Sequence, residues 1–224
     1  MLKIGHRGAA GYEPENTLRS FKKALDLKVE MIELDVHLSK DQKLVVIHDN
    51  SAKRTTNGKG WIKNLTFEEL RKFDAGKEEK IPLLEEVLDL VNKKVMINIE
   101  LKGDNTAKPV ANLIKKYEKK GWSKNNFQVS SFKFNELEDF FKLNKKVNIG
   151  VLFEHFPNRY LKKAKTINAY SINPPVKFAT SEFVKKAHTL GLKVLVWTVN
   201  EKSQIEQLKK LGVDGIFSNF PDRI

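Results

Sequence analysis

Met31-Ile32-Glu33-Leu34-Asp35-Val36-His37 alternates without a break. A strand sends successive side chains to opposite faces, so Ile32, Leu34 and Val36 share one face and Glu33, Asp35 and His37 the other. Glu33 and Asp35 then lie about 7 Å apart along the strand. Val95–Leu101 repeats the pattern: Ile97, Ile99 and Leu101 fall on one side, Asn98, Glu100 and then Lys102 on the other. Apolar-rich strands rarely carry charge by accident, because burying an unpaired charge is costly. A parallel barrel accommodates both faces. The apolar face meets an outer ring of helices, and the acidic face looks into the barrel mouth.

Outward from these two strands the chain alternates strand and helix. Leu2–Ile4 precedes a helix over Asn16–Leu27, whose Leu18, Phe21 and Leu25 fall at helical spacing. After Met31–His37, a hairpin turn over Ser39–Lys43 leads into a short strand, Leu44–His48. Residues 50–80 break the rhythm; they are polar, with turn signals at Asn57-Gly58 and Gly60. Pro82 opens a helix carrying Leu84, Val87, Leu88 and Val91. Strands follow at Val95–Leu101, Phe127–Ser131, Val147–Phe153, Ala169–Ile172, Lys193–Val199 and Gly215–Ser218, with helices between them at Ala107–Lys120, Asn135–Leu143, 158–165, Ser181–Leu190 and Lys202–Leu211. With the hairpin strand set aside, eight strands remain. The expected fold is a (β/α)8 TIM barrel, one domain over residues 1–224, with a small insertion at about 50–80 near the mouth. A doubly wound open sheet is the alternative, but its first strand is usually followed by G-x-G-x-x-G, and this turn reads His6-Arg7-Gly8-Ala9-Ala10-Gly11.

Composition narrows the function classes. The 224 residues include no cysteine, which excludes disulfides, thiolate metal sites and a cysteine nucleophile and suits a reducing compartment. No segment has the roughly 18 apolar residues a membrane span needs, and the N-terminus lacks a signal-peptide core, so a cytoplasmic chain without stable membrane insertion is expected. The net charge of +13 is lopsided: 20 basic and 18 acidic residues lie in 1–112, against 21 and 10 in 113–224. A basic surface invites nucleic acid or anionic lipid. Here the lysines come in pairs, such as Lys115-Lys116 and Lys185-Lys186, on the polar sides of amphipathic helices, where solvated lysines belong. No arginine-aromatic interleaving of an RNA reader is present, so no nucleic-acid partner is expected.

Active sites of (β/α)8 barrels sit at the C-terminal ends of the strands. His6-Arg7 ends the first strand and His48-Asp49 the hairpin strand; Glu33 and Asp35 lie on the second, Glu100 and Lys102 on the third, Trp197 on the seventh. Three carboxylates facing one another either take up protons or hold a cation. An all-oxygen set suits one Mg2+ or Ca2+ better than Zn2+; a purely structural set, paired with Arg7 and Lys102, is the other possibility. His6 and His48 titrate near neutrality and can serve as acid and base. Arg7 and Lys102 offer fixed positive charge for a phosphate. Together they suit phosphoryl transfer. His37 shares the inward parity but sits one step further out; His155 and His188 read as packed or surface residues.

His6-Arg7-Gly8, Pro14-Glu15-Asn16-Thr17, Glu33-Leu34-Asp35-Val36, His48-Asp49, Arg54-Thr55-Thr56-Asn57-Gly58, Pro82-Leu83-Leu84-Glu85-Glu86, Asn98-Ile99-Glu100-Leu101-Lys102, Trp197-Thr198-Val199-Asn200 and Asp214-Gly215-Ile216-Phe217-Ser218-Asn219 stand in that order. The ordered set resembles glycerophosphodiester phosphodiesterases of the short cytoplasmic type over essentially the whole chain. The resemblance implies a barrel with a small insertion after the second strand. It also implies hydrolysis of diesters such as glycerophosphocholine and glycerophosphoethanolamine to sn-glycerol 3-phosphate and an alcohol. It puts Glu33, Asp35 and Glu100 at the metal, His6 and His48 at catalysis, Arg7 and Lys102 at the phosphate, and Trp197 in the pocket wall. It further implies attack on phosphorus by the glycerol 2-hydroxyl through a cyclic glycerol phosphate. Ser218-Asn219 stands where many relatives have Thr-Asp. Two other readings compete. A phospholipase D-type enzyme acting on lysophospholipids or sphingomyelin is expected to be secreted, to carry disulfides and to lack the insertion. A non-catalytic barrel binding anionic ligands predicts loss of the catalytic set, which is intact here.

Overall fold

The computed structural model describes residues 1–224. Strands β1 (Leu2–Gly5), β2 (Met31–Leu38), β4 (Met96–Leu101), β5 (Phe127–Ser131), β6 (Asn148–Leu152), β7 (Ser171–Asn173), β8 (Lys193–Val196) and β9 (Gly215–Ser218) run parallel. Neighbours in sequence are neighbours in the sheet, and β1 pairs with both β9 and β2. The sheet therefore closes on itself as a (β/α)8 barrel. β3 (Leu44–Val46) stands outside this ring and pairs antiparallel with the upper end of β2, from Val36↔Val46 to Leu38↔Leu44. No helix is long and apolar enough to cross a membrane.

The alternation of β2 and β4 plays out as read. Ile32, Leu34 and Val36, with Ile97, Ile99 and Leu101, are fully buried in one 48-residue apolar layer between strands and helices. On the inner side, Ile4, Met31, Leu195 and Phe217 form a small apolar plug. Above it the barrel interior is polar: Glu33, Asp35, Asn98, Glu100, Gln128, Ser130, Ser171 and Asn173 are all buried.

Around the barrel lie α1 (Leu18–Asp26), α3 (Leu84–Val91), α4 (Ala107–Glu118), α5 (Phe134–Leu143), α6 (Pro157–Thr166), α7 (Ser181–Thr189) and α8 (Lys202–Leu211). The lysine pairs Lys115-Lys116, Lys185-Lys186 and Lys209-Lys210 are exposed, as the amphipathic pattern requires. The N-terminus of α4 is capped from its neighbour, since the buried Glu136 of α5 accepts hydrogen bonds from the amides of Asn105 (2.6 Å) and Ala107 (2.9 Å).

Several boundaries differ from the sequence reading: β3 stops at Val46 and β8 at Val196, so Trp197 lies just past its strand in an isolated bridge to Pro175, and two helix starts move for reasons visible in the structure. α1 starts at Leu18, not Asn16, because Thr17 is its N-cap and Asn16 takes a left-handed φ of 58°. α3 starts at Leu84, two residues after Pro82, where the Glu86 side chain turns back to accept from the Leu83 amide at 2.8 Å. The insertion is also more than a polar loop. It contains a 3-10 turn at Ile62–Asn64 and α2 (Phe67–Lys72). Ile62, Leu70, Ala52, Ala75 and Ile81 pack with Val45 and Ile47 into a separate seven-residue core.

Candidate functional site

His6 and Arg7 leave β1 at the mouth. Arg7 has φ 52° and Gly8 φ 86°, so the chain turns sharply here. Only glycine fits at position 8: a Cβ would collide with Ser20, whose hydroxyl accepts from the Ala9 amide. The turn points the Arg7 amide at Glu33 Oε2 (2.7 Å) and sends its side chain over the carboxylates, with Nε 3.5 Å from Asp35 and Nη1 2.8 Å from Glu15.

Glu33, Asp35 and Glu100 converge because β2 and β4 pair in register, Asp35 opposite Glu100. One oxygen from each lies within 4.8 Å of the others. Burial, then the charges of Asp35 and Glu100, push Glu33 well above the usual carboxylate range. Burial and Asp35 push Glu100 up to about 7, against the pull of Lys102, whose ammonium lies 2.9 Å away. Asn16 donates to Asp35 Oδ2 at 2.9 Å, while Asp35 Oδ1 is buried without a hydrogen-bond partner. Three buried carboxylates under mutual strain, one with an orphaned oxygen, fit a hard divalent cation.

The two histidines face this trio. His6 Nδ1 donates to Asn219 Oδ1 at 2.7 Å, leaving Nε2 free. Burial, then Arg7, lowers its pKa to about 4. His48 Nδ1 donates to Asp49 Oδ1 at 2.6 Å, again leaving Nε2 free, and burial lowers its pKa as well. His37, ambiguous in the sequence, donates from Nε2 to the His48 carbonyl at 3.0 Å and so braces that residue. His188 pairs with Asp214 away from the site. His155 is exposed and lines the outer part of the mouth.

Sequence reasoning assigned no role to a chain of ion pairs that joins both halves of the site. Arg54, in the insertion, holds Asp49 (Nε–Oδ2, 2.7 Å) and Glu15 (Nη2–Oε1, 2.7 Å), and Glu15 in turn holds Arg7. Glu15 is kept well below the usual range, against its own burial, by Arg54 and Arg7. The signal existed, since Glu15 and Arg54 both stand in strings singled out above. Asn219 gave less warning: it lies 213 residues from the histidine it contacts.

The inner cavity, about 210 Å³, is lined by His6, Arg7, Glu33, His48, Lys102 and Trp197. Trp197 is fixed by its Nε1 donating to the Asn173 carbonyl at 2.8 Å and by edge-to-face contact with Phe132. All eight residues singled out from the sequence thus meet at one place. A wider groove of about 750 Å³ opens outward from it.

Residues 6–223 match the glycerophosphoryl diester phosphodiesterase family. The chain belongs to that family. A glycerophosphodiester phosphodiesterase of Bacillus altitudinis is 43% identical over 239 residues, covering 100% of this chain and 96% of the relative. One from Caldanaerobacter subterraneus is 37% identical over 240 residues, with the same coverage. Among solved structures, a phosphodiesterase of Oleispira antarctica in complex with the product sn-glycerol-3-phosphate superposes with a TM-score of 0.91 at 28% identity, covering 99% of this chain and 94% of that one. The chain is accordingly an enzyme, a glycerophosphodiester phosphodiesterase.

Proposed function

We propose that this enzyme hydrolyses small, deacylated glycerophosphodiesters, glycerophosphocholine and glycerophosphoethanolamine among them, to sn-glycerol 3-phosphate and an alcohol, and that it needs one divalent cation, Mg2+ or Ca2+. A cytoplasmic location, in keeping with a cysteine-free sequence, belongs to the same reading. The observation that carries it is the convergence of two free histidine Nε2 atoms and three strained carboxylates on one small cavity.

Glu33, Asp35 and Glu100 would hold the cation. When bound, it supplies charge neutralisation at the phosphate and eases ionisation of an alcohol. Arg7 and Lys102 bind the phosphate oxygens and Trp197 closes the wall beside the glycerol. One histidine takes the proton of the glycerol 2-hydroxyl as that oxygen attacks phosphorus; the other gives a proton to the leaving alkoxide. Water then opens the cyclic glycerol phosphate, with the two histidines exchanging roles. Each histidine is oriented by its Nδ1 partner so that Nε2 faces the cavity; the base acts with Nε2 unprotonated, and the acid acts as the imidazolium, with the proton it donates on Nε2.

The test is turnover of glycerophosphocholine after exhaustive chelation, then after add-back of Mg2+ or Ca2+. Activity should vanish and return. Full turnover in metal-free enzyme would overturn the metal requirement. A 2-deoxyglycerol analogue should bind as a competitive inhibitor yet turn over at least about 10³-fold more slowly, because the preorganised attack is lost. Equal kcat for both compounds would exclude attack by the 2-hydroxyl.

A further inference from the structure

The inner cavity and the outer groove meet at a passage, and five residues line both: His48, Glu100, Lys102, Phe132 and Glu154. The first three belong to the site already described. Phe132 and Glu154 follow β5 and β6 and have no part in the chemistry proposed above. The ring of Phe132 lies against Trp197, centroids 5.3 Å apart, with the Lys102 ammonium 5.1 Å from its centre. Glu154 is exposed and makes no ion pair. Glu33, the proposed metal ligand that accepts from the Arg7 amide, is also without an ion pair, but the remaining carboxylates at this mouth are paired. Glu15 is held by Arg7 and Arg54, Asp49 by Arg54, and Glu100 by Lys102.

The inner cavity has the size for a glycerol phosphate and little more. The departing alcohol must therefore pass His48 and Lys102 into the groove. In an amino-alcohol ester the nitrogen stands two carbons from the ester oxygen, so it reaches the passage while phosphorus is still beside the histidines. A free carboxylate next to an aromatic ring is the chemistry that receives an ammonium. The passage offers both signs of charge, Lys102 and Glu154. It complements the phosphate and the ammonium of a zwitterionic diester.

We propose that Glu154, with Phe132 beside it, forms a headgroup subsite that favours esters of cationic amino alcohols over esters of neutral polyols. This rests on the phosphodiesterase reading above and adds the choice of leaving group to it.

The experiment compares kcat and KM for glycerophosphocholine, glycerophosphoethanolamine and glycerophosphoglycerol, using metal-loaded wild type, Glu154→Gln and Glu154→Lys. Wild type should prefer the two cationic esters. Glu154→Gln, nearly isosteric, should lower the ratio of cationic to neutral kcat/KM about 10-fold, mainly through KM. Glu154→Lys should reverse the preference. A ratio that is the same in all three proteins would overturn the subsite while leaving the phosphodiesterase reading intact. Failure of wild type to hydrolyse any of the three would overturn both.

Discussion

At the scale of single residues the site stores opposed proton demands. His6 has its pKa lowered to about 4 by burial, whereas in the unfolded chain it returns to its ordinary 6.5. Between those values the unfolded chain binds a proton that the folded one refuses, so this term makes stability rise with pH and is complete above about 6.5. Glu100 does the reverse. Raised to about 7 from 4.5, it holds a proton in the fold that the unfolded chain releases, so its term is present at low pH and lost as pH rises through 7. In metal-free protein the two should largely cancel from about pH 4.5 to 6.5. Glu33, also raised, remains in Glu100→Gln, so under EDTA that variant's melting temperature should shift upward in slope against pH across that window relative to wild type. His6→Asn should unmask the carboxylates, giving one that declines. Equal slopes in the two variants would refute the assignment. On activity, His6→Ala and His48→Ala should each lower kcat by about 10²-fold or more, while His188→Ala, on the surface pair with Asp214, leaves it near wild type.

At the scale of elements, the insertion reaches the site through Arg54. The fork of this side chain grips Asp49 and Glu15 at once, so it connects the insertion to the partner of His48 and the partner of Arg7. Arg54 is nearly half exposed, and such pairs contribute only about 0–1 kcal/mol to stability. Arg54→Met should therefore melt close to wild type yet lose about 10-fold in kcat as His48 loses its alignment. Arg54→Lys should not restore it, because an ammonium cannot fork between two carboxylates. Full activity in Arg54→Met would show that the chain of ion pairs is ornament. The same region marks the limit of what the sequence discloses. β2 and β4 are legible because alternation is local: Glu33, Asp35 and Glu100 could be placed on the inner face from their neighbours alone. The core of the insertion is not. Ile62, Leu70 and Ile81 are widely spaced among polar residues, and only folding onto Val45 and Ile47 makes them a cluster. Asn16 shows a third case, a residue that fits a helix start but whose side chain is drawn to Asp35 instead. The partner of His6 depends on closure of the barrel, which no local pattern contains.

At the scale of the whole molecule, net charge +13 opposes compaction, and residues 113–224 carry most of the excess. Raising ionic strength from 0.01 M to 0.15 M shortens the screening length from about 30 Å to about 8 Å. The melting temperature should rise across that range, read by scanning calorimetry in a non-coordinating buffer. A fall would mean that surface ion pairs outweigh the repulsion. Barrel closure has a consequence in time. β1 is completed by pairing with β9, from Leu2↔Gly215 to Gly5↔Ser218, and His6 is oriented by Asn219 just beyond. At a ribosome adding roughly 5–20 residues per second, His6 waits on the order of 10–40 s for the residue that aligns it. Throughout that interval one edge of β1 is unpaired and His6 has no partner for Nδ1. The site is complete only once Asn219 has been made and β9 has closed the barrel.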